Sequence, residues 1–183
     1  MGGVVIILAT VVAWLIDSFV AGAGPSWSGL LLVFLFVGLG VIGLLDDGIK
    51  IMRQRSLGLH PSGKIIGQVL IASAFALGTL ILPNEYGEYP GTLAISFARP
   101  TALTLGFAGL ALGVVLYLIW TNLIVTAWSN ATNLTDGLDG LATGVSIFVF
   151  GAYTFIAYFQ RIQSCTQLGA NPANCYSTRD PLD

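Results

Sequence analysis

The stretch Ser28–Lys50, which reads SGLLLVFLFVGLGVIGLLDDGIK, decides the fold class of this chain. Its apolar part, residues 28–45, contains no charged residue. A helix needs about 20 residues to cross a hydrocarbon core of about 30 Å, so this part has the length of a membrane span. The run then ends on two aspartates and a lysine. The stretch therefore predicts a transmembrane helix with charged residues at one end.

Similar apolar runs recur along the whole chain. None shows the alternating pattern of a closed barrel, so only helices can satisfy the backbone in lipid. We predict an all-α, polytopic helical membrane protein that forms a single integral membrane unit over residues 1–183. Its five helices are expected at about residues 4–21, 28–45, 65–82, 106–128 and 141–160.

The composition supports the membrane assignment. Charged residues make up 9% of the chain, whereas a soluble domain has about 25%. The mean hydropathy is +0.85, and the net charge of −2 argues against nucleic acid as a partner. The first residues, MGGVVIILATVVAW, have no basic segment and no small-residue cleavage site, which favours a membrane span over a signal peptide.

Four of the seven basic residues lie between the second and third predicted helices. They are Lys50, Arg53, Arg55 and Lys64. The positive-inside rule then makes the loop 46–64 cytoplasmic, and alternation of the helices makes the loop 129–140 cytoplasmic as well. The segments 22–27, 83–105 and 161–183 are expected outside, with a short hairpin in the middle one.

The only two cysteines, Cys165 and Cys175, fall in the segment predicted to be external. In an oxidising compartment they could form a disulfide bond, and two free thiols are the alternative. The only histidine, His60, precedes Pro61 in the opposite loop, and we interpret it as a solvated turn residue.

Asp46, Asp47 and Lys50 form the first candidate site. If the second helix continues past Leu45, Lys50 lies four and three positions after the two aspartates, so the three side chains share a face. Adjacent carboxylates repel each other, and a divalent cation would relieve the repulsion. Mg²⁺ suits such hard oxygen ligands and leaves room for substrate phosphates. The alternative is a solvated helix end that only marks the membrane interface.

The second candidate site is the stretch NATNLTDGLDGLATG, residues 130–144. Asp136 and Asp139 are three positions apart, as are Asn130 and Asn133, so each pair has helical-neighbour spacing. Glycines beside the acids permit close approach of a ligand. The stretch also has the pattern of a helix start, with Thr135 or Asp136 as the capping residue of the fifth helix. A cap needs only one acid, so the second acid favours a binding role.

The predicted topology places both candidate sites on one membrane face. We therefore expect an acidic, cation-binding cleft beside the lipid. Such a cleft suits a reaction between a water-soluble phosphate ester and a lipid phosphate.

The segments SNATNLTDGLDGLATG and LLDDGIKI closely resemble two signature segments of the polyprenyl-phosphate N-acetylhexosamine-1-phosphate transferases. The opening MGG and the later GKIIGQ fit the same family, and the resemblance covers essentially the whole chain. NLTDGLDGLA is most similar to the branch that uses UDP-MurNAc-pentapeptide. That branch transfers phospho-MurNAc-pentapeptide to undecaprenyl phosphate with Mg²⁺, giving lipid I and UMP at the cytoplasmic face of the bacterial inner membrane.

The resemblance also implies residue roles. Asp46 and Asp47 match the family's paired aspartates, of which one is expected to activate the lipid phosphate and one to work near the metal. Lys50 would neutralise phosphate. The remaining matches are substrate-binding positions, namely Asn133, Leu134, Asp136, Gly137 and Asp139 for the nucleotide, and Lys64 with Gln68 as a polar pair of less defined role.

This chain departs from the family pattern in its extent. The resemblance implies a longer protein with further membrane helices, a later metal-binding aspartate and a histidine-rich loop, so this chain corresponds to a partial unit of the family fold. We expect the polypeptide alone to be inactive, as a fragment. Two alternative functions stay open: a related transferase that uses UDP-GlcNAc, and a non-catalytic membrane remnant. Whether the protein forms a homodimer also stays open. A cation transporter would need acids at mid-membrane, and only Asp17 approaches that depth.

Overall fold

The computed structural model describes residues 2–20, 22, 24–54, 58–84, 87–96, 100–135, 140–165 and 175. Five long helices dominate these residues, and a small two-stranded sheet lies between the third and the fourth. In chain order the elements are α1 (Gly2–Val20), α2 (Trp27–Arg53), α3 (Pro61–Ile81), β1 (Ala94–Ser96), β2 (Pro100–Thr104), α4 (Leu110–Thr135) and α5 (Leu141–Ile162).

All five helices have the length and the apolarity needed to span a bilayer. Their surfaces carry many exposed large hydrophobic side chains, as expected where lipid rather than protein covers a helix. The prediction of a polytopic helical membrane protein is confirmed. The chain divides into two compact units, Met1–Ala127 and Trp128–Asp183, with the division inside α4. The single unit expected over residues 1–183 stays a prediction.

Glycines set the close contact between α2 and α3. A Cβ atom built on Gly38 would lie 2.9 Å from Cγ2 of Ile71, and one built on Gly67 would lie 3.0 Å from Cδ1 of Ile42. Gly78 meets Leu31 in the same way further along, which gives the two helices an antiparallel register. Small residues allow membrane helices to approach closely, which explains why glycines recur in these apolar runs.

Several helices begin or end at residues other than those predicted from the sequence. α2 begins after Ser26, whose hydroxyl accepts a hydrogen bond from the Gly29 amide at 2.9 Å. It continues to Arg53, well beyond the expected end at residue 45, and stops where Gln54 adopts a left-handed conformation with φ 48°. The helix continues because Lys50 and Arg53 suit the negative end of the helix dipole and Lys50 offsets the charges of the aspartates.

α4 begins later and ends later than the sequence predicts. It starts at Leu110 because the chain turns through Gly106 and Gly109, which has a φ of 108°. Its C-terminal end lies at Thr135 rather than at about residue 128, so the polar residues Asn130 and Asn133 belong to helical turns. The interior of the first unit, Met1–Ala127, is partly polar. The Asn122 amide donates a hydrogen bond to Oγ of Ser73 at 3.0 Å, which links α4 to α3.

The segment between α3 and α4 contains the expected hairpin, since β1 and β2 pair antiparallel. Before β1 the chain crosses the end of α3, where the Gly91 amide donates to the Thr79 carbonyl at 2.8 Å. The Thr79 hydroxyl lies 2.9 Å from the hydroxyl of Tyr117 on α4. A disulfide bond joins Cys165 to Cys175, the pair that the sequence leaves as either a bridge or two thiols.

Replacing Gly91 by alanine is expected to destabilise the first unit. The new Cβ would lie 2.8 Å from the Thr79 hydroxyl, 3.0 Å from its carbonyl oxygen and 3.0 Å from the Tyr117 hydroxyl. Overpacking of this kind costs about 1–3 kcal/mol of unfolding free energy. Thermal unfolding in detergent would show the loss, with Gly151→Ala as control because no heavy atom lies within 4 Å of that site. Equal midpoints for the two variants would contradict the prediction.

Candidate functional site

The last turns of α2 bring three charged side chains together. The ammonium group of Lys50 lies 2.7 Å from Oδ2 of Asp46 and 3.6 Å from Oδ1 of Asp47. These are the four- and three-residue spacings of one helical face, and they exist because α2 stays helical through this region. One cation thus lies between two carboxylates at the end of a membrane span.

Asp46 is the buried member of this group, with 9% of its surface exposed. Both of its carboxylate oxygens are engaged, because Oδ1 accepts a hydrogen bond from the Leu59 amide at 2.8 Å while Oδ2 pairs with Lys50. The Leu59 amide lies in the connection to α3, thirteen positions away in sequence. Asp46 therefore fixes this connection against the end of α2.

Gly58 fits against Asp46 only because it has no side chain. A Cβ atom built on it would lie 2.7 Å from the Asp46 carbonyl oxygen and 2.8 Å from Cγ of the same residue. His60 and Pro61 follow at the start of α3, where the His60 ring lies 2.7 Å from the Ser62 hydroxyl. His60 is exposed, in agreement with its interpretation as a turn residue.

Asp47 has a different environment from its neighbour. Its side chain is 61% exposed, and its distance of 3.6 Å from Lys50 exceeds the 2.7–3.2 Å of an ordinary N–H···O hydrogen bond. Its oxygens are consequently accessible to a ligand, whereas those of Asp46 are occupied by protein groups. The two adjacent aspartates are thus not equivalent.

Lys64 and Gln68 lie one turn apart on α3. They are in the same unit as Asp46, Asp47 and Lys50, which we call the α2 cluster. Gln68 is only 1% exposed, and it has an interaction partner inside the protein. Gln68 therefore belongs to the packed interior of the first unit, and the role of Lys64 stays a prediction.

Asn133 and Leu134 lie exposed on the last turn of α4, in the second unit. Asp136, Gly137 and Asp139 lie outside the described residues. The convergence of this stretch with the α2 cluster stays a prediction.

The sequence predicted Thr135 or Asp136 as the capping residue of α5, and the prediction is wrong for Thr135. Its hydroxyl donates to the Ala131 carbonyl at 2.8 Å inside α4, and the residue that precedes α5 is Gly140, with a φ of 79°. The physical reason is that α4 extends through Thr135, so the hydroxyl bonds back one turn into its own helix. The alternative cap, Asp136, is outside the described part of the chain.

The residues present offer a partial fit to a divalent cation. Mg²⁺ is usually held by one or two carboxylates together with waters and substrate phosphates, and Asp47 has accessible oxygens of the required kind. Within the described ranges, no three His, Cys, Asp or Glu side chains cluster together. The binding of a metal by Asp46 and Asp47 stays a prediction.

Two residues of the site, Gly58 and Leu59, were not singled out from the sequence. A backbone amide has no sequence signature, so the bond from Leu59 to Asp46 could not be read from residue types. A glycine shortly before the proline that starts α3 was the only available signal, and it is equally typical of an ordinary turn.

Comparisons with known proteins identify a family and relatives of this chain. The family model described as glycosyl transferase family 4 matches residues 29–171. A relative from Beutenbergia cavernae is 56% identical over 183 residues, which cover 100% of this chain and 51% of the relative. Relatives from Micrococcus luteus and Streptomyces griseus are 52% and 46% identical over 190 and 185 residues, covering all of this chain and 50% of each relative.

All three relatives carry the name phospho-N-acetylmuramoyl-pentapeptide-transferase. The chain spans about half the length of these curated relatives. No solved structure matches the chain at a significant level.

Proposed function

Because this chain belongs to glycosyl transferase family 4, we propose that it supplies part of a membrane enzyme that transfers phospho-N-acetylmuramoyl-pentapeptide from UDP to undecaprenyl phosphate. The products would be lipid I and UMP, in peptidoglycan synthesis. The observation that carries the proposal is the accessible Asp47 carboxylate beside Lys50 at the end of a membrane span. This position suits a reaction between a soluble nucleotide sugar and a lipid phosphate.

The reaction is a phosphoryl transfer. An oxygen of the lipid phosphate attacks the phosphorus that carries the sugar, and the bond from that phosphorus to UMP breaks. Most catalysis in such reactions comes from positioning and from stabilising the charge that develops on phosphate oxygens. The ammonium group of Lys50 can neutralise such an oxygen, since its side chain is 38% exposed.

The two aspartates would have different roles. Asp46 would position Lys50 and the connection to α3, because its two oxygens are already bonded to those groups. Asp47 would face the substrate phosphates. Mg²⁺ is the proposed cofactor, with Asp47 as one of its ligands, and it would supply positive charge to the phosphates when bound.

The nucleotide is proposed to bind along the stretch after α4, at Asn133, Leu134, Asp136, Gly137 and Asp139. Support comes from the exposed position of Asn133 at the end of its helix and from the resemblance of this stretch to the family signature. The site would face the cytoplasm of a bacterial inner membrane, since Lys50, Arg53 and Lys64 lie at the same end of the helices α2 and α3, and Arg55 falls between these helices in the sequence. The protein is also proposed to form a homodimer. The molar mass of the protein part of the protein–detergent complex would test this.

A donor comparison tests the function. Membranes containing the complete protein are given radiolabelled UDP-MurNAc-pentapeptide or UDP-GlcNAc together with undecaprenyl phosphate. We expect a labelled lipid product and UMP from the first donor only, and we expect loss of product when EDTA removes divalent cations, with recovery on adding Mg²⁺. Transfer from UDP-GlcNAc alone would favour the related transferase, and no product from either donor would favour a non-catalytic protein.

A further inference from the structure

The stretch that leads from β2 into α4 exposes large apolar side chains that neither candidate site uses. Leu103 on β2 is 64% exposed, Phe107 in the following turn is 75% exposed, and Leu110, the first residue of α4, is 76% exposed. We call these three residues the hairpin patch. Residues 100–135 include no Asp, Glu, Lys or Arg. Exposed apolar side chains in such an uncharged stretch indicate contact with lipid or with another protein.

The hairpin is fixed against the beginning of α4. The Leu105 amide donates a hydrogen bond to the Leu93 carbonyl at 2.7 Å, directly after β2. The Leu93 side chain packs on glycines, since a Cβ atom built on Gly113 would lie 2.9 Å from its Cδ1 and one built on Gly106 would lie 3.4 Å from it. Gly113 is buried in the first turn of α4. The hairpin patch therefore has a defined position relative to this membrane span.

The first turn of α4 lies near the membrane surface. The Tyr117 hydroxyl lies 2.9 Å from the Thr79 hydroxyl, and α3 ends at Ile81. Leu110 is two helical turns from Tyr117, which is about 10 Å at 1.5 Å per residue. α4 has 26 residues and thus a length of about 39 Å, whereas the hydrocarbon core is about 30 Å thick. The first turn of α4 therefore reaches the headgroup layer.

Trp27 marks the membrane interface at the same end of the first unit. It is the first residue of α2, and its side chain is exposed. Tryptophan is enriched where a span meets the headgroups. Trp27 lies one turn before Leu31, whose side chain contacts Gly78, and Gly78 directly precedes Thr79. A bilayer with its headgroups is about 40–45 Å thick, so each headgroup layer is about 5–8 Å deep and has room for the hairpin patch.

We propose that the hairpin patch inserts into the headgroup layer of the leaflet farther from the α2 cluster, which lies at the opposite end of α3, so that β1 and β2 lie on the lipid surface. The partner is lipid because the patch continues directly into a membrane span. Val115 on α4 is exposed as Leu110 is, and the lipid that surrounds the span reaches both. The proposal adds a lipid contact to the segment 83–105, which the sequence predicted to be outside, and it does not depend on the proposed function.

Spin labelling in lipid nanodiscs tests the depth of the patch. The three patch residues are replaced singly by cysteine in the complete protein, from which any free thiol outside this chain has been removed by substitution with serine. Cys165 and Cys175 do not react with the label because they form a disulfide bond. We expect a water-soluble nickel chelate to reach the three labels about fivefold less than a label on Glu88→Cys, because polar solutes are excluded from an apolar layer.

Glu88 is the aqueous control, because it is an exposed, charged residue in the same connection between α3 and α4. Val115→Cys is the lipid control, and oxygen rather than the nickel chelate should reach its label. Circular dichroism should show equal helicity for the variants, and three separate patch positions keep the test decisive if one variant fails to fold. Patch labels as accessible to nickel as the Glu88 label would overturn the proposal. So would spin–spin broadening that disappears on dilution with unlabelled protein, because a second copy would then cover the patch.

Phe107→Asp tests whether the apolar side chains cause the insertion. In this variant, a label on Leu110→Cys should become as accessible to nickel as the label at Glu88, because a carboxylate is costly to place in an apolar layer. Phe107→Leu is the matched control and should leave the label protected. Equal protection in the two variants, at equal helicity, would contradict the proposal.

Discussion

Asp47→Asn is expected to lower the rate of lipid I formation about 10²–10³-fold, because loss of this carboxylate would weaken the binding of the proposed Mg²⁺, whose positive charge would stabilise the charge that develops on the phosphates. The amide keeps the size of the side chain and removes its negative charge. Because Asp47 is 61% exposed and 3.6 Å from Lys50, its charge contributes little to the fold. The measurement is kcat in a radiolabelled transfer assay on the complete protein, together with thermal unfolding in detergent, which should change little.

The matched control for this variant is Asp17→Asn. Asp17 is an exposed aspartate near the C-terminal end of α1. This variant should keep nearly full activity. A similar loss of activity in both variants, or a large fall in the unfolding temperature of Asp47→Asn, would refute the assignment of Asp47 to the substrate side.

Gly58→Ala is expected to detach the connection between α2 and α3 from Asp46. The added methyl group would overlap Oδ1 of Asp46 and lie 2.7 Å from its carbonyl oxygen, and the backbone oxygen cannot move aside as a side chain can. The Leu59 amide then loses its bond to the carboxylate. Overpacking costs about 1–3 kcal/mol of unfolding free energy, and a displacement of about 1 Å near a reacting group can lower the rate about 10²-fold.

Gly63→Ala provides the comparison, because it lies at the start of α3 and its Cβ would meet only Cδ2 of Leu59, at 3.8 Å. Alanine in a helix is favoured over glycine by about 0.5–1 kcal/mol, so this variant should be slightly more stable and fully active. Unfolding temperatures and kcat for the two variants give the test. If Gly58→Ala behaves like Gly63→Ala, the connection is not held by its contact with Asp46.

Asp46→Asn should differ from Asp47→Asn in its pattern of effects. The amide oxygen can still accept the bond from Leu59, while the ion pair with Lys50 at 2.7 Å loses one charge. A positioning residue that acts through Lys50 should therefore lower stability and activity together. A double-mutant cycle tests this, in which unfolding temperature and kcat are measured for Asp46→Asn, for a substitution of Lys50 and for the two together. If Asp46 acts through Lys50, the double variant should lose little more than the Lys50 variant alone.

Much of the fold could be predicted because it depends on composition along the chain. The five spans follow from the length and apolarity of uninterrupted runs, and the lipid environment admits only helices for them. The ends were less predictable. Charged residues suggested that α2 stops at Leu45, yet the pairing of Lys50 with Asp46 and Asp47 allows the helix to continue to Arg53.

The sequence by itself determined the membrane class, the motifs that give the family and the face shared by Asp46, Asp47 and Lys50, because all of these depend on residue type and helical spacing. Only the tertiary structure decided that Asp46 is occupied and Asp47 accessible. That difference depends on where the Leu59 amide and Gly58 lie after the chain turns back toward α2. The close contact between α2 and α3 depends likewise on which glycines face the partner helix, as Gly38 and Gly67 do, and a sequence of adjacent residues does not contain that distance information.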